Sequence, residues 1–181
     1  MTTCDTRLVA PRFTLDDAER AGDEWGANCG PAALAMVAGL SLDEVRPHMG
    51  DFEQKGYVNP TLMFDSLRRI GVRWQCGAVQ RSSENQGMLA FPDFGLARVQ
   101  WEGPWTAPGV PIRVRYRHTH WVGAMRVEGK EVNIFDINCM CVGGWVPLSE
   151  WSSSVAPWIL KQCEPKASGR WHLTHVIEVT Q

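Results

Sequence analysis

Trp25-Gly26-Ala27-Asn28-Cys29-Gly30-Pro31 leads straight into Ala32-Ala33-Leu34-Ala35-Met36-Val37-Ala38-Gly39-Leu40. The second half is rich in Ala, Leu and Met, all good helix formers. Asn28 is a suitable N-cap, and Pro31 is tolerated in a first turn, where its missing N–H has no helical partner. This helix is apolar on every side, so it is expected at the centre of the molecule. Cys29 then sits at the first turn of a buried helix, where the dipole and the free N–H groups stabilise a thiolate. As a small buried hydrophobe, Cys29 has an equally ordinary explanation.

Outward from that helix the pattern stays helical for some thirty residues and then changes. Ser41-Leu42-Asp43-Glu44 has the spacing of a capping box and opens a short helix towards Met49. Gly56 to Asn59 reads as a loop. Pro60 to Ile70 reads as a further helix, with Leu62, Met63, Leu67 and Ile70 as its apolar stripe and Gly71 as its stop. After Gly71 the period shortens. Val72–Cys76, Ala97–Trp101, Ile112–Tyr116, Trp121–Val127, Glu131–Ile137 and Trp171–Val179 read as strands, with 81–95 a loop and Glu128-Gly129-Lys130 a hairpin turn. Pro147–Trp151 reads as a short helix or loop. Helices first and antiparallel strands second give an α+β class.

The 181 residues suit one domain with its own core. A formal charge of -2 argues against a nucleic-acid binder. No apolar run approaches the roughly 20 residues of a membrane span. Met1 to Pro11 lacks the features of a secretory signal, so a cytoplasmic setting with free thiols is expected. Residues 1–60 carry 10 acidic against 5 basic side chains and residues 61–128 carry 5 against 9. The functional reading sets the two regions facing each other across a cleft, and the preferred reading is ordinary surface variation. The nine Trp point to wide aromatic surfaces in the core or along a groove, with Trp121, Trp145 and Trp151 placed near the groove.

A nucleophilic Cys needs a base, and the base needs an orienter. His120 precedes Trp121-Val122-Gly123-Ala124, and Asp136 follows Val132-Asn133-Ile134-Phe135. A hairpin centred near Gly129 sets His120 opposite residues 136–138, which include Asp136 and Asn138. Pairing geometry alone therefore brings an imidazole beside a carboxylate.

Asn28-Cys29-Gly30-Pro31-Ala32-Ala33-Leu34-Ala35-Met36, His120-Trp121-Val122 and Phe135-Asp136-Ile137-Asn138 occur in an order that resembles the papain-like cysteine peptidase superfamily. The nearest branch is the bacterial and phage peptidases similar to bacteriocin leader-processing (double-glycine) domains. The segments 59–71 and 143–151 add to the resemblance, which covers roughly Trp25 to Trp151. It implies a two-lobe domain over 1–181, with a helical lobe of about 12–71 and a β lobe of about 72–181. The buried nucleophile helix would pack on an antiparallel sheet. It implies a thiol hydrolase of peptide or isopeptide bonds, with a peptide or protein substrate and no cofactor or metal. Cys29 would attack, His120 would move the proton, Asp136 would hold the imidazole, and the Cys29 N–H would serve the oxyanion. Gly30 would let a substrate backbone approach, and Trp121 and Trp145 would flank the groove.

The chain departs from that family at one position. Those enzymes usually carry a Gln a few residues before the Cys to complete the oxyanion hole. Here Asp23 stands six residues before Cys29, and a carboxylate repels a developing oxyanion. Trp25, Asn28 and Gln100 are the candidate substitutes. Without one of them the chain would be a weak or inactive binding or inhibitory protein with the same fold. An acyl transferase or deamidase would use the same thiolate. Two rival motifs remain. His118-x-His120 with Cys139-x-Cys141 fits zinc spacing poorly. Arg113, Arg115 and Arg117 alternate along an expected strand. They read as a solvated edge or, functionally, as a docking surface for an acidic peptide or carboxylate.

Overall fold

The computed structural model describes residues 8–79, 91–115, 117–127 and 131–180. The helix that contains Cys29 forms as the sequence dictates. Designated α2, it runs Cys29–Ala38 and ends at Gly39, whose positive φ of 66° allows a left-handed cap. Leu34, Ala35, Met36 and their neighbours are almost fully buried. Each large apolar side chain so buried contributes about 1.5–3 kcal/mol, which holds α2 centrally despite its few polar contacts. Ahead of it, α1 (Leu15–Trp25) is capped by a reciprocal Thr14–Asp17 box. After it, α3 (Leu42–Val45) starts on the expected Ser41–Glu44 box and passes into a 3-10 turn at Arg46–His48. A short helix α4 (Phe52–Lys55), not anticipated, buries Phe52. The helix α5 (Pro60–Ile70) is capped by Asn59 Oδ1, which accepts from the Leu62 N–H at 2.8 Å, and stops at Gly71.

The rest of the chain builds a six-stranded antiparallel sheet from β1 (Arg73–Cys76), β2 (Phe94–Trp101), β3 (Thr119–Arg126), β4 (Val132–Phe135), β5 (Trp145–Pro147) and β6 (Trp171–Thr180). The spatial order is β1-β6-β2-β3-β4-β5. β3 and β4 pair Gly123 with Phe135 and Arg126 with Val132, a register centred on residue 129. The turn residues 128–130 lie outside the described residues, as do residues 81–90 of the expected 81–95 loop. Within that expected loop, Phe94 and Gly95 belong to β2.

Two expectations fail here. Ile112–Arg115 is a helical turn, α6, and not a strand. Pro111 sets its direction: the Val114 and Arg115 N–H groups both donate to the Pro111 carbonyl, at 2.9 and 3.3 Å. The alternating Arg113, Arg115 and Arg117 therefore share no strand face. Beyond β5 the chain also forms α7 (Leu148–Glu150), a π-turn over Trp151–Val155, and α8 (Ala156–Cys163), a helical run only partly foreseen.

The sheet separates two apolar clusters, because alternate residues of each strand face opposite ways. Leu96, Trp121, Phe135 and Ile177 pack with the N-terminal helices. Ala97, Val99, Val122, Ala124 and Ile134 pack with Leu148, Trp151, Ile159 and Leu160. Helix α2 packs on β3 and β2, so its first residues reach the end of β3 where His120 lies.

The pairing of β2 with β6 is irregular at one point. The register shifts between Arg98 and Val99: Arg98 pairs with His175, but Val99 pairs with Leu173. Thr174 is the extra residue, a bulge that reverses the facing of everything beyond it. Leu173 therefore packs in the second cluster, while His175, two residues on, turns to the face of the N-terminal helices.

Candidate functional site

Cys29 is the first residue of α2, so its N–H and that of Gly30 have no partner within the helix, and Pro31 has no N–H. Two groups of β3, the His120 imidazole and the Trp121 backbone N–H, act on its thiol. Burial pushes the thiol pKa up. The charge and hydrogen bond of His120 and the Trp121 N–H outweigh it, so the group lies below the ordinary thiol range.

His120 is 6% exposed, and its ring stacks on Trp101 with centroids 6.1 Å apart. Its Nε2 lies 2.9 Å from Asp136 Oδ2. An ionised carboxylate only accepts, so Nε2 carries the proton and Nδ1 is left for the thiol side. Burial pulls the imidazole pKa down, but Asp136 and Cys29 together raise it well above its ordinary value.

Asp136 is fully buried, and four donors meet its carboxylate. Oδ2 accepts from His120 Nε2 and from Trp151 Nε1 at 2.8 Å. Oδ1 accepts from the Asn138 backbone N–H at 3.0 Å and from Asn138 Nδ2 at 2.8 Å. Burial raises its pKa, and the His120 charge and hydrogen bonds overcome this to set it at about 2. Asn138, which the hairpin register also set opposite His120, thus acts on Asp136. Trp151 was expected beside a groove, but it is buried and holds the carboxylate from behind; its sequence position 15 residues beyond Asp136 gave no signal of this.

A cleft of 880 Å³ opens at Cys29. Its floor is the sheet face bearing Arg98, Thr119, Trp121 and His175, and its wall is the Gly56–Pro60 segment ahead of α5. Trp121 lines the cleft and donates Nε1 to the Val58 carbonyl at 2.8 Å, tying wall to floor. Gly30 also lines it, but a Cβ there would lie 2.7 Å from Val58 Cγ2. The space Gly30 leaves is taken by Val58, not kept for a substrate backbone. Trp145 does not reach the cleft: it packs on Phe135 and donates to the Val9 carbonyl at 2.7 Å.

None of the four candidate oxyanion side chains is among the described residues lining the cleft. Asp23 is exposed on α1. Trp25 is buried edge-on to Phe52. Asn28 gives α2 no side-chain cap, because its Nδ2 turns back to the Ala18 carbonyl at 3.1 Å. Gln100 is buried and donates to the Trp101 and His118 carbonyls at 2.7 and 3.1 Å.

Among the described residues no three His, Cys, Asp or Glu side chains gather as a metal site. His118 lies against Trp105, centroids 4.1 Å apart, while Cys139 is buried and its pKa is pushed to about 12 by burial and by Asp136. No described helix is long and apolar enough to cross a membrane. No protein-family model matches the chain, and no curated protein matches its sequence.

Proposed function

We propose that the chain is a papain-like thiol hydrolase, a two-lobe domain that cleaves a peptide or isopeptide bond of a peptide or protein substrate. One observation carries the reading: an open cleft ends at a thiol whose pKa is lowered by an imidazole that is itself anchored to a buried, four-fold bonded carboxylate.

Cys29 Sγ attacks the carbonyl carbon as the thiolate, and His120 holds the proton it gave up. The tetrahedral oxyanion lies at the start of α2, where the Cys29 and Gly30 N–H groups donate and the helix dipole favours negative charge. His120 Nδ1 then protonates the departing amine, leaving a thioester. Water attacks that thioester, His120 takes the water proton, and the thiolate leaves with the acid as product. Asp136 keeps Nε2 protonated throughout, so Nδ1 stays the reactive nitrogen.

A second reading, a binding protein of the same fold, is favoured by the absence of Asp23, Trp25, Asn28 and Gln100 from the described cleft lining. Loss of one oxyanion donor costs about 10²–10³ in rate. Intact-mass measurement after iodoacetamide between pH 5 and 9, with peptide mapping, separates the two. The hydrolase reading expects selective alkylation of Cys29 near pH 6 and its loss in His120→Ala. Cys29 reacting no faster than Cys76 and Cys163 overturns it and leaves the binding reading. Cleavage of a peptide library by the wild type, absent in a folded Cys29→Ala variant, then identifies the bond.

A further inference from the structure

We propose that the cleft at Cys29 selects substrates bearing a carboxylate, gripped by Arg98 at its floor and Arg117 at its rim. The inference rests on the thiol hydrolase reading for what is done to the bound group, but its basis is the lining itself. The titratable side chains of the cleft are Cys29, Tyr57, Arg98, Arg117 and His175, and among its described residues there is no Asp or Glu. The helix start at Cys29 adds its own positive pole.

Arg98 is 4% exposed, and its guanidinium is oriented rather than loose. Nη2 donates to Thr119 Oγ1 at 2.9 Å and Nη1 to Thr174 Oγ1 at 3.4 Å. Thr174 is the bulge residue, and the same bulge turns His175 into the cleft. The irregularity in β6 thus serves the cleft floor. Arg117 is exposed and lies two residues ahead of Thr119. A planar guanidinium fork fixed in place is suited to a carboxylate.

Asp136, the carboxylate that acts on Cys29, is buried behind His120 and met by four donors, and several surface acids pair with cations outside the cleft. Asp51 meets Lys55 at 2.8 Å, Glu53 meets Arg46 at 2.9 Å, and Asp43 meets Arg20 at 3.3 Å. Asp93, near the opposite end of β2, meets Arg126 at 2.7 Å. Both cleft arginines come from the basic middle of the chain.

Two alkylating probes test this without a known substrate. Iodoacetate and iodoacetamide both form an S–C bond with the thiolate and release iodide, but only the first is an anion. At pH 6 the ratio of iodoacetate to iodoacetamide rates should be higher at Cys29 than at the exposed Cys163. It should fall about threefold in Arg117→Gln, the effect of one screened charge at short range, and fall also in a folded Arg98→Met variant. A ratio equal to that of Cys163, or one unmoved in the folded Arg117→Gln variant, overturns the proposal. Slow iodoacetamide reaction at Cys29 instead overturns the hydrolase reading, whatever the ratio. Protection of Cys29 from iodoacetamide then locates the carboxylate. Acetyl-Glu-Gly-amide protecting better than acetyl-Gln-Gly-amide assigns an acidic side chain, and acetyl-Gln-Gly protecting better assigns a free C-terminus. Neither exceeding the neutral peptide overturns the proposal.

Discussion

Trp151 donates its indole N–H to Asp136 Oδ2, the same oxygen that accepts the hydrogen bond from His120 Nε2. One carboxylate oxygen thus joins the imidazole to the helical run after β5. A buried carboxylate is stable only when its lone pairs are met, and this one has four donors. Trp151→Phe keeps the ring and removes one of them. Hydrogen bonds to charged groups contribute about 1.5–3 kcal/mol, so denaturant unfolding should show a loss of about 2 kcal/mol. The Cys29 alkylation profile should shift to higher pH as the carboxylate binds His120 less firmly.

Asp136→Asn removes the charge that raises the His120 pKa. With a neutral partner the buried imidazole loses its proton at lower pH, and the thiolate loses its cation. The rate of Cys29 alkylation at pH 6 should then approach that of the exposed Cys163. A wild-type profile in this variant would remove Asp136 from the thiol's control.

Acid stability should report the same carboxylate. The folded Asp136 pKa, about 2, lies below its ordinary value of 3.8, so the unfolded chain binds the proton more readily. Its contribution is fully present above about pH 4 and is lost as the pH falls towards 2. The size is about 2 kcal/mol. Urea midpoints measured between pH 5 and 2 should fall in the wild type, and fall less in Asp136→Asn.

Gly30→Ala should destabilise the start of α2 although Ala is the better helix former. The added Cβ would lie 2.7 and 2.8 Å from Val58 Cγ2 and Cβ. Overpacking of this kind costs about 1–3 kcal/mol. The double variant Gly30→Ala with Val58→Ala should recover part of the loss, and thermal unfolding of the three variants checks it.

Cys139 should stay unmodified by iodoacetamide at pH 8, where ordinary exposed thiols react. Burial and the neighbouring Asp136 hold its pKa near 12. Peptide mapping of the alkylated chain reads this directly.

Those parts of the molecule whose causes are local were legible in the amino-acid order. The Ser41–Glu44 box, the Asn59 cap, the glycine stop at Gly71 and the apolar run of α2 each rest on contacts a few residues apart. The β3–β4 register was legible too, because a hairpin ties pairing to its turn, and this set His120 opposite the 136–138 segment. Local pattern misled where a neighbour overrode it: Pro111 wound Ile112–Arg115 into a helical turn, and Ala18 drew Asn28 away from capping α2. The rest depends on contacts between distant segments and was settled only when the chain folded. Trp151 meets Asp136 through packing across the second core. Val58 fills the space beside Gly30. The bulge at Thr174 exists only in the pairing of β6 with β2, and it decides which side chains of the strand face the cleft. Alternation along a strand states which residues share a face, but a single unpaired residue reverses that assignment, and nothing local to Leu173–His175 announces it.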